Sequence, residues 1–169
     1  MIIAISGLTG SGKNTLGELL AEKLGYRLVC PTFKDLAKRE GVPLMEFQKM
    51  AERDPDIDRK FDELLKEQAK GDCVVTTWLG PWMVDADLRI KLVAPAETRA
   101  KRIADRDGMA LEDAVKHVEE RDERNRKRYM KLYGIDIFDE SIYDALLDSG
   151  EHRPEELLKM VLEIIERRG

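Results

Sequence analysis

The residues best suited to chemistry sit together near the start of the chain, in Gly7-Leu8-Thr9-Gly10-Ser11-Gly12-Lys13-Asn14-Thr15. Glycines at this spacing let successive backbone N–H groups turn toward a single anion. Lys13 adds a mobile ammonium that can follow a phosphoryl group as it moves. Thr15 offers a hydroxyl that a magnesium ion could take, directly or through water. The loop as a whole suits the gripping of a nucleoside triphosphate. A second set of charges lies between Glu119 and Arg128, where Arg121, Arg124 and Arg128 recur at i+3/i+4 and share one helical face. Three arginines on one face could converge on phosphates. Glu119, Glu120, Asp122 and Glu123 interleave with them, so a solvated helix laced with ion pairs fits the spacing equally well.

Other residues are less specific. Lys34, Arg39, Asp58 and Asp62 could face an acceptor, and Asp58 and Asp62 share a face at i, i+4, which is also how acids line an ordinary surface helix. Trp78 and Trp82 fit a core as well as a stacking wall for a planar ligand. His117 and His152 have no partner that suggests nucleophilic or metal chemistry, and both read as surface residues.

The elements around these residues alternate. Ile2-Ile3-Ala4-Ile5 has the unbroken apolar pattern of a strand buried on both faces, and Leu16, Leu19, Leu20 and Leu24 mark the helix after the glycine loop. Arg27–Cys30, Cys73–Thr76, Leu88–Val93 and Ile142–Leu147 read as further strands, the last interrupted by Asp144. From Phe33 to Lys70 there is helical patterning only, with Asp54-Pro55 as one start signal. Pro95 opens a helix to about Arg106, Leu111, Val115 and Val118 mark the next, and Pro154 starts the last. Beyond Val118 the apolar stripe vanishes until Tyr129. Strands alternating with helices predict a parallel sheet covered on both sides, with ligands beyond the strands' carboxyl ends. The glycine loop, Cys30–Phe33 and Thr76–Trp78 should therefore meet at one cleft.

Composition narrows the classes. At 169 residues and net charge -5, the chain fits one domain and gives no general surface for nucleic acid or anionic membrane. Charged residues make up 37%, while Asn and Gln occur only as Asn14, Asn125, Gln48 and Gln68, a balance that leans toward a thermophilic source. Cys30 and Cys73 lack metal-ligand spacing and lie beside apolar runs, so both read as buried free thiols in a reducing cytoplasm. No stretch has the length and apolarity of a signal peptide or a membrane span. The expectation is a soluble cytoplasmic protein, a monomer with an oligomer left open.

The loop resembles the Walker A motif of P-loop phosphotransferases, with one departure: Asn14 stands where Ser or Thr commonly holds magnesium, and Thr15 follows. Lys13-Asn14-Thr15 is closer to the Gly-Lys-Gly-Thr of nucleoside monophosphate kinases. Across nearly the whole chain the order of features resembles the archaeal-type cytidylate kinases. The match rests on Gly7–Thr15, Phe33-Lys34, Ala51-Glu52, Ile57-Asp58, Asp62, Ala86-Asp87-Leu88, Ala94-Pro95, Arg99–Arg106, Glu120-Arg121, Arg128-Tyr129, Tyr133-Gly134-Ile135-Asp136 and Tyr143-Asp144. The resemblance implies an α/β three-layer P-loop kinase domain over residues 1–169. In it a five-stranded parallel sheet carries a helical acceptor-binding insert at 33–70 and a mobile lid at about 105–130. It implies ATP- and magnesium-dependent phosphorylation of CMP and dCMP, with Lys13, Arg121 and Arg128 at the transferring phosphates and Lys34, Asp58, Trp78 and Asn125 on the acceptor side.

The departures from that family fall on the acceptor side. Cys30-Pro31-Thr32 replaces a Ser-Gly segment, and Lys34 stands for an arginine that holds the acceptor phosphate. Thr76-Thr77-Trp78 replaces an acidic residue, glycine and arginine, and Asn125 stands for an acid near the ribose. Lysine keeps the charge but loses the bidentate fork, and tryptophan has no charge. Two alternatives follow: a P-loop kinase of a different small molecule, walled by Trp78 and Trp82, or a catalytically weak paralogue that binds nucleotide to regulate a partner.

Overall fold

The computed structural model describes residues 1–51 and 53–169, with the side chains of Leu44, Met45 and Gln48 also left out. The chain's first strand, β1 (Ile2–Gly7), is the centre of a five-stranded parallel sheet. Its neighbours are β3 (Cys73–Thr76) and β4 (Leu88–Val93), with β2 (Arg27–Val29) and β5 (Ala145–Asp148) at the edges, in the order β2-β3-β1-β4-β5. Ile5 pairs with Thr76 and Gly7 with Leu92, so three strand ends lie side by side where the glycine loop begins. The full burial of Ile3, Ala4 and Ile5 explains the unbroken apolar run.

Alternation along β1 sorts the two faces. Ile3 and Ile5 pack with Leu16 and Leu20 of α1 (Lys13–Leu24) and with Leu157 and Val161 of α8 (Pro154–Arg168). Ala4 packs on the other face with Val75, Val84, and Leu65 of α4 (Asp56–Gln68). Between β2 and β3 come α2 (Phe33–Glu40), α3 (Leu44–Ala51) and α4, which hold a separate small core of Leu36, Phe47, Ile57 and Leu64 against Phe33 and Phe61. A short turn of helix, α5 (Gly80–Met83), follows β3. After β4, α6 (Ala96–Asp107) and α7 (Leu111–Tyr133) pack through Ala100, Ile103, Ala114 and Val118.

Three expectations shift. The fifth strand is Ala145–Asp148 rather than Ile142–Leu147. The Asp144 amide still donates to the Arg89 carbonyl at 2.9 Å, but its carboxylate accepts the Arg89 amide at 2.7 Å and pairs with Arg168 at 2.7 Å, so the strand proper begins after it. The stretch after Val118 stays within one helix, which runs unbroken for 23 residues from Leu111 to Tyr133. One turn beyond Val118 its inner stripe carries a buried acid, Asp122, in place of an apolar residue. Cys73 is buried, but Cys30 is only partly covered and faces the cleft described next.

Candidate active site

The glycine loop joins β1 to α1. Gly10 and Gly12 have φ of 76° and 89°, and a Cβ on Gly10 would lie 2.6 Å from the Arg99 carbonyl, so both the backbone angle and the space demand glycine. The loop's carbonyls are held from behind. Arg99 donates to the Thr9 carbonyl at 3.0 Å, Arg102 to that of Gly10 at 3.1 Å, and the Ser149 hydroxyl to that of Ser11 at 2.7 Å. With carbonyls fixed outward, amides turn inward. The Ser11 amide closes the turn on Leu8 at 3.1 Å, whereas those of Gly10, Gly12, Lys13, Asn14 and Thr15 have no acceptor among the described residues. The N-terminus of α1 also lacks a side-chain cap. Several free donors at the positive end of a helix dipole make an anion site.

Two hollows meet at this loop. The larger, about 550 Å³, lies beneath α4 and α7, and Lys13, Asn14, Thr76, Trp78, Asp58 and Arg121 are among its lining. The smaller, about 220 Å³, is bounded by the loop from Gly10 to Thr15 with Arg102 and Arg106. Lys13 and Asn14 border both. A triphosphate held by the loop and a second anion in the larger cleft would thus meet at the Lys13 ammonium.

The arginines of this run gather on the larger cleft, although Arg121 and Arg124 themselves stay exposed there. Arg121, Arg124, Asn125 and Arg128 all project into it from α7, and neither Arg121 nor Arg124 has an acidic partner among the described residues. The ion pair expected of a surface run, Lys127 with Glu123 at 3.7 Å, occupies the opposite face. Burial, with Arg121 beside it, pushes the Lys13 ammonium down to about 8, and Trp78 sits with its ring centroid 5.3 Å from that nitrogen. Arg128 makes a two-pronged bond to Asp58, at 2.9 and 2.5 Å. The Tyr133 hydroxyl donates to Asp62, whose carboxyl burial raises to about 6 despite that bond.

Of the residues singled out in the sequence, Lys13, Asn14, Asp58, Trp78, Arg121, Asn125 and Arg128 come together in the larger cleft. Gly10, Ser11, Gly12 and Thr15 border the smaller hollow, while Gly7 ends β1 and packs against the Ser11 side chain. Thr9 is buried, and Leu8 faces a third hollow beside Lys91 and Phe138. Lys34 does not join them: it is exposed on the first turn of α2 and does not line the cleft. Trp82 packs edge-on against Tyr143, 5.7 Å between centroids, and forms no wall of the site. His117 lies exposed at the cleft's edge.

Sequence reasoning gave no site role to Asp122, read as one of the interleaved acids, or to Arg99, named only in the run Arg99–Arg106. Their one signal was an acid at i+8 from Ala114 and i+4 from Val118, where the apolar stripe of α7 should have continued.

A family model described as the cytidylate kinase-like family matches residues 2–151. The chain belongs to the cytidylate kinase-like family. A cytidylate kinase of Pyrobaculum aerophilum is 48% identical over 155 residues, covering 89% of this chain and 84% of that protein. A cytidylate kinase of Pyrococcus horikoshii is 45% identical over 165 residues, covering 95% and 86%. Among solved structures, the shikimate kinase of Acinetobacter baumannii aligns with TM-score 0.65 at 17% identity over 99% of this chain and 93% of that one. The deoxyadenosine kinase of M. mycoides aligns with TM-score 0.60 at 15% identity over both whole chains, 100% each. These structural likenesses speak for the shared P-loop kinase fold alone, and the Pyrobaculum and Pyrococcus enzymes for the family.

Proposed function

We propose that this protein is a nucleoside monophosphate kinase that transfers the γ-phosphoryl group of ATP to CMP or dCMP. The observation that carries the reading is the place of Lys13, on the wall shared by the loop's hollow and the arginine-lined cleft. The γ-phosphorus leaves the bridging oxygen of ADP and forms its new bond to an oxygen of the acceptor phosphate. Such a transfer needs positioning and positive charge more than covalent help. Lys13 spans donor and acceptor oxygens, Arg121 and Arg124 face the transferring group, and Arg128 and Asn125 hold the acceptor. Trp78 supplies an apolar floor where a charged residue would have bound phosphate directly. Lys34 takes no part, being outside the cleft.

Magnesium fits this donor set in a limited way. Thr15 presents an exposed hydroxyl at the smaller hollow, and no group of three or more His, Cys, Asp or Glu among the described residues gathers as a metal site. One neutral ligand suits an ion that keeps most of its oxygens from phosphate and water. When bound, magnesium would supply positive charge to offset that developing on the phosphates.

No helix among the described residues is long and apolar enough to cross a membrane. The reading places the enzyme in the cytoplasm with its nucleotide substrates, and it needs no second copy, since one chain supplies the whole cleft.

An ADP-release assay with ATP, magnesium and either CMP, dCMP, UMP or AMP tests the proposal. CMP and dCMP should give the highest kcat/KM, and Lys13→Ala should lower kcat by roughly 100-fold or more, on the scale of losing a transition-state charge contact. Turnover of none of the four would overturn it.

A further inference from the structure

The thread running from the glycine loop into α7 has a role that the reaction itself does not assign. Asp122 is buried, 5% exposed, and both its oxygens are used. One accepts the Thr9 amide at 3.1 Å, and the other accepts Arg99 Nη1 at 2.6 Å. The same Arg99 nitrogen donates to the Thr9 carbonyl at 3.0 Å, and Arg99 Nε donates to the Ala94 carbonyl at 3.0 Å, just past the end of β4. Thr9 and Arg99 are also buried, at 3% and 6% exposure. Both backbone groups of Thr9 are thereby tied to one buried ion pair that joins α6, α7 and the loop.

Two consequences follow from this geometry. The Thr9 amide is committed to a carboxylate and so does not serve a phosphate, unlike the free amides from Gly10 onward. And Asp122 directly follows Arg121, so the bond that fixes Thr9 also fixes the rotation of α7 that aims Arg121 into the cleft. A buried acid this well satisfied would be a poor choice for stability alone, since an apolar residue at the same place is often as stabilising.

We propose that Asp122 is a positioning residue for phosphoryl transfer, holding the glycine loop in its anion-ready conformation through Thr9 and Arg99 while setting Arg121 over the transferring group. The proposal rests on the kinase reading above for its turnover data, but not for its binding and exchange data.

Asp122→Asn and Asp122→Glu are compared with the parent in full-length protein, folded state checked by circular dichroism at the assay temperature. Asn keeps the shape but turns an N–H toward either Arg99 or Thr9. Asp122→Asn should lower kcat/KM for ATP tenfold or more and weaken ATP binding by calorimetry, and Asp122→Glu should recover part of the kcat. A smaller fall in a folded Asn variant, even with a lowered Tm, overturns the proposal, because a purely structural role moves Tm alone. Should the Asn variant not fold, amide hydrogen exchange on the parent decides. The Thr9 amide should be protected before any nucleotide is added, whereas Gly10 and Gly12 gain protection only with ATP. A Thr9 amide that exchanges as fast as that of Gly12 in nucleotide-free protein overturns the proposal. Calorimetry showing ATP binding without CMP turnover would sink the acceptor assignment and leave the positioning role standing.

Discussion

At the scale of single residues, Asp62 is a carboxyl whose burial works against its charge. Its carboxyl rises from about 3.8 to about 6 because burial outweighs the Tyr133 hydroxyl bond, with Asp58 nearby adding to the rise. A carboxyl with a higher pKa in the folded chain than in the unfolded one takes up a proton on folding. Stability therefore falls as pH rises from about 4 through about 6, and the cost is complete above that. Asp62→Asn removes the titration while leaving an oxygen to accept from Tyr133. It should be more stable than the parent at pH 8 by on the order of 1–3 kcal/mol, with the gap closing near pH 4. Urea denaturation at both pH values checks this, and an equal gap at both would show that the carboxylate is not the cause. Lys13 shows the opposite pull on a cation: burial and Arg121 lower it, and a polyphosphate beside it would favour the charged form again.

At the scale of elements, α1 lies very close to β3. A Cβ on Gly17 would meet the Thr76 methyl at 2.1 Å. Gly17 is therefore the point of close approach between the helix that starts at Lys13 and the strand that ends at the cleft. In an otherwise ordinary helix, Gly→Ala gains about 1 kcal/mol, but forcing a methyl into a packed contact costs about 1–3 kcal/mol. Gly17→Ala should accordingly destabilise the parent yet stabilise a Thr76→Ser background, where the obstructing methyl is gone. Tm values of the four proteins of that cycle test it, and a stabilising Gly17→Ala in both backgrounds would rule out the contact. The central strands β1 and β3 were readable because their residues are buried on both sides, which leaves an unbroken apolar run. The start of β5 was not, since the Asp144 carboxylate takes the Arg89 amide and Arg168 as partners that no local pattern reveals.

At the scale of the whole molecule, α7 is a strut between the loop and the helical insert. It is tied to the loop at Asp122 and to α4 by Arg128 with Asp58 and by Tyr133 with Asp62. The fork of Arg128 on a carboxylate is the same geometry that it would offer a phosphate. An acceptor phosphate can thus compete for this arginine and loosen or re-aim the insert as it binds. Arg128→Ala should raise KM for CMP roughly 10- to 100-fold while moving KM for ATP far less. Because the pair is only partly buried, its stability cost should be modest, about 1–2 kcal/mol. Steady-state kinetics with each substrate varied in turn, plus a thermal melt, checks both numbers, and equal rises in the two KM values would place Arg128 on no particular side.

Local chemistry determined much of this protein. Glycines and a lysine at a strand–helix junction announce an anion site because their roles depend on backbone freedom and spacing within one short stretch. The alternation of strand and helix predicts the parallel sheet because burial on both faces leaves its pattern in each segment separately. Three arginines on one helical turn pattern could be read, but not which way they faced, since a helix has no inside until something packs on it. Tertiary structure decided that Arg121, Arg124 and Arg128 face the cleft, that Lys34 and Trp82 do not, and that Trp78 does. It alone revealed Asp122, because a buried acid is stabilised by partners 23 and 113 positions away in the chain. Contacts at such separations are set by how the elements stack, and composition or periodicity within any one element carries no trace of the partner.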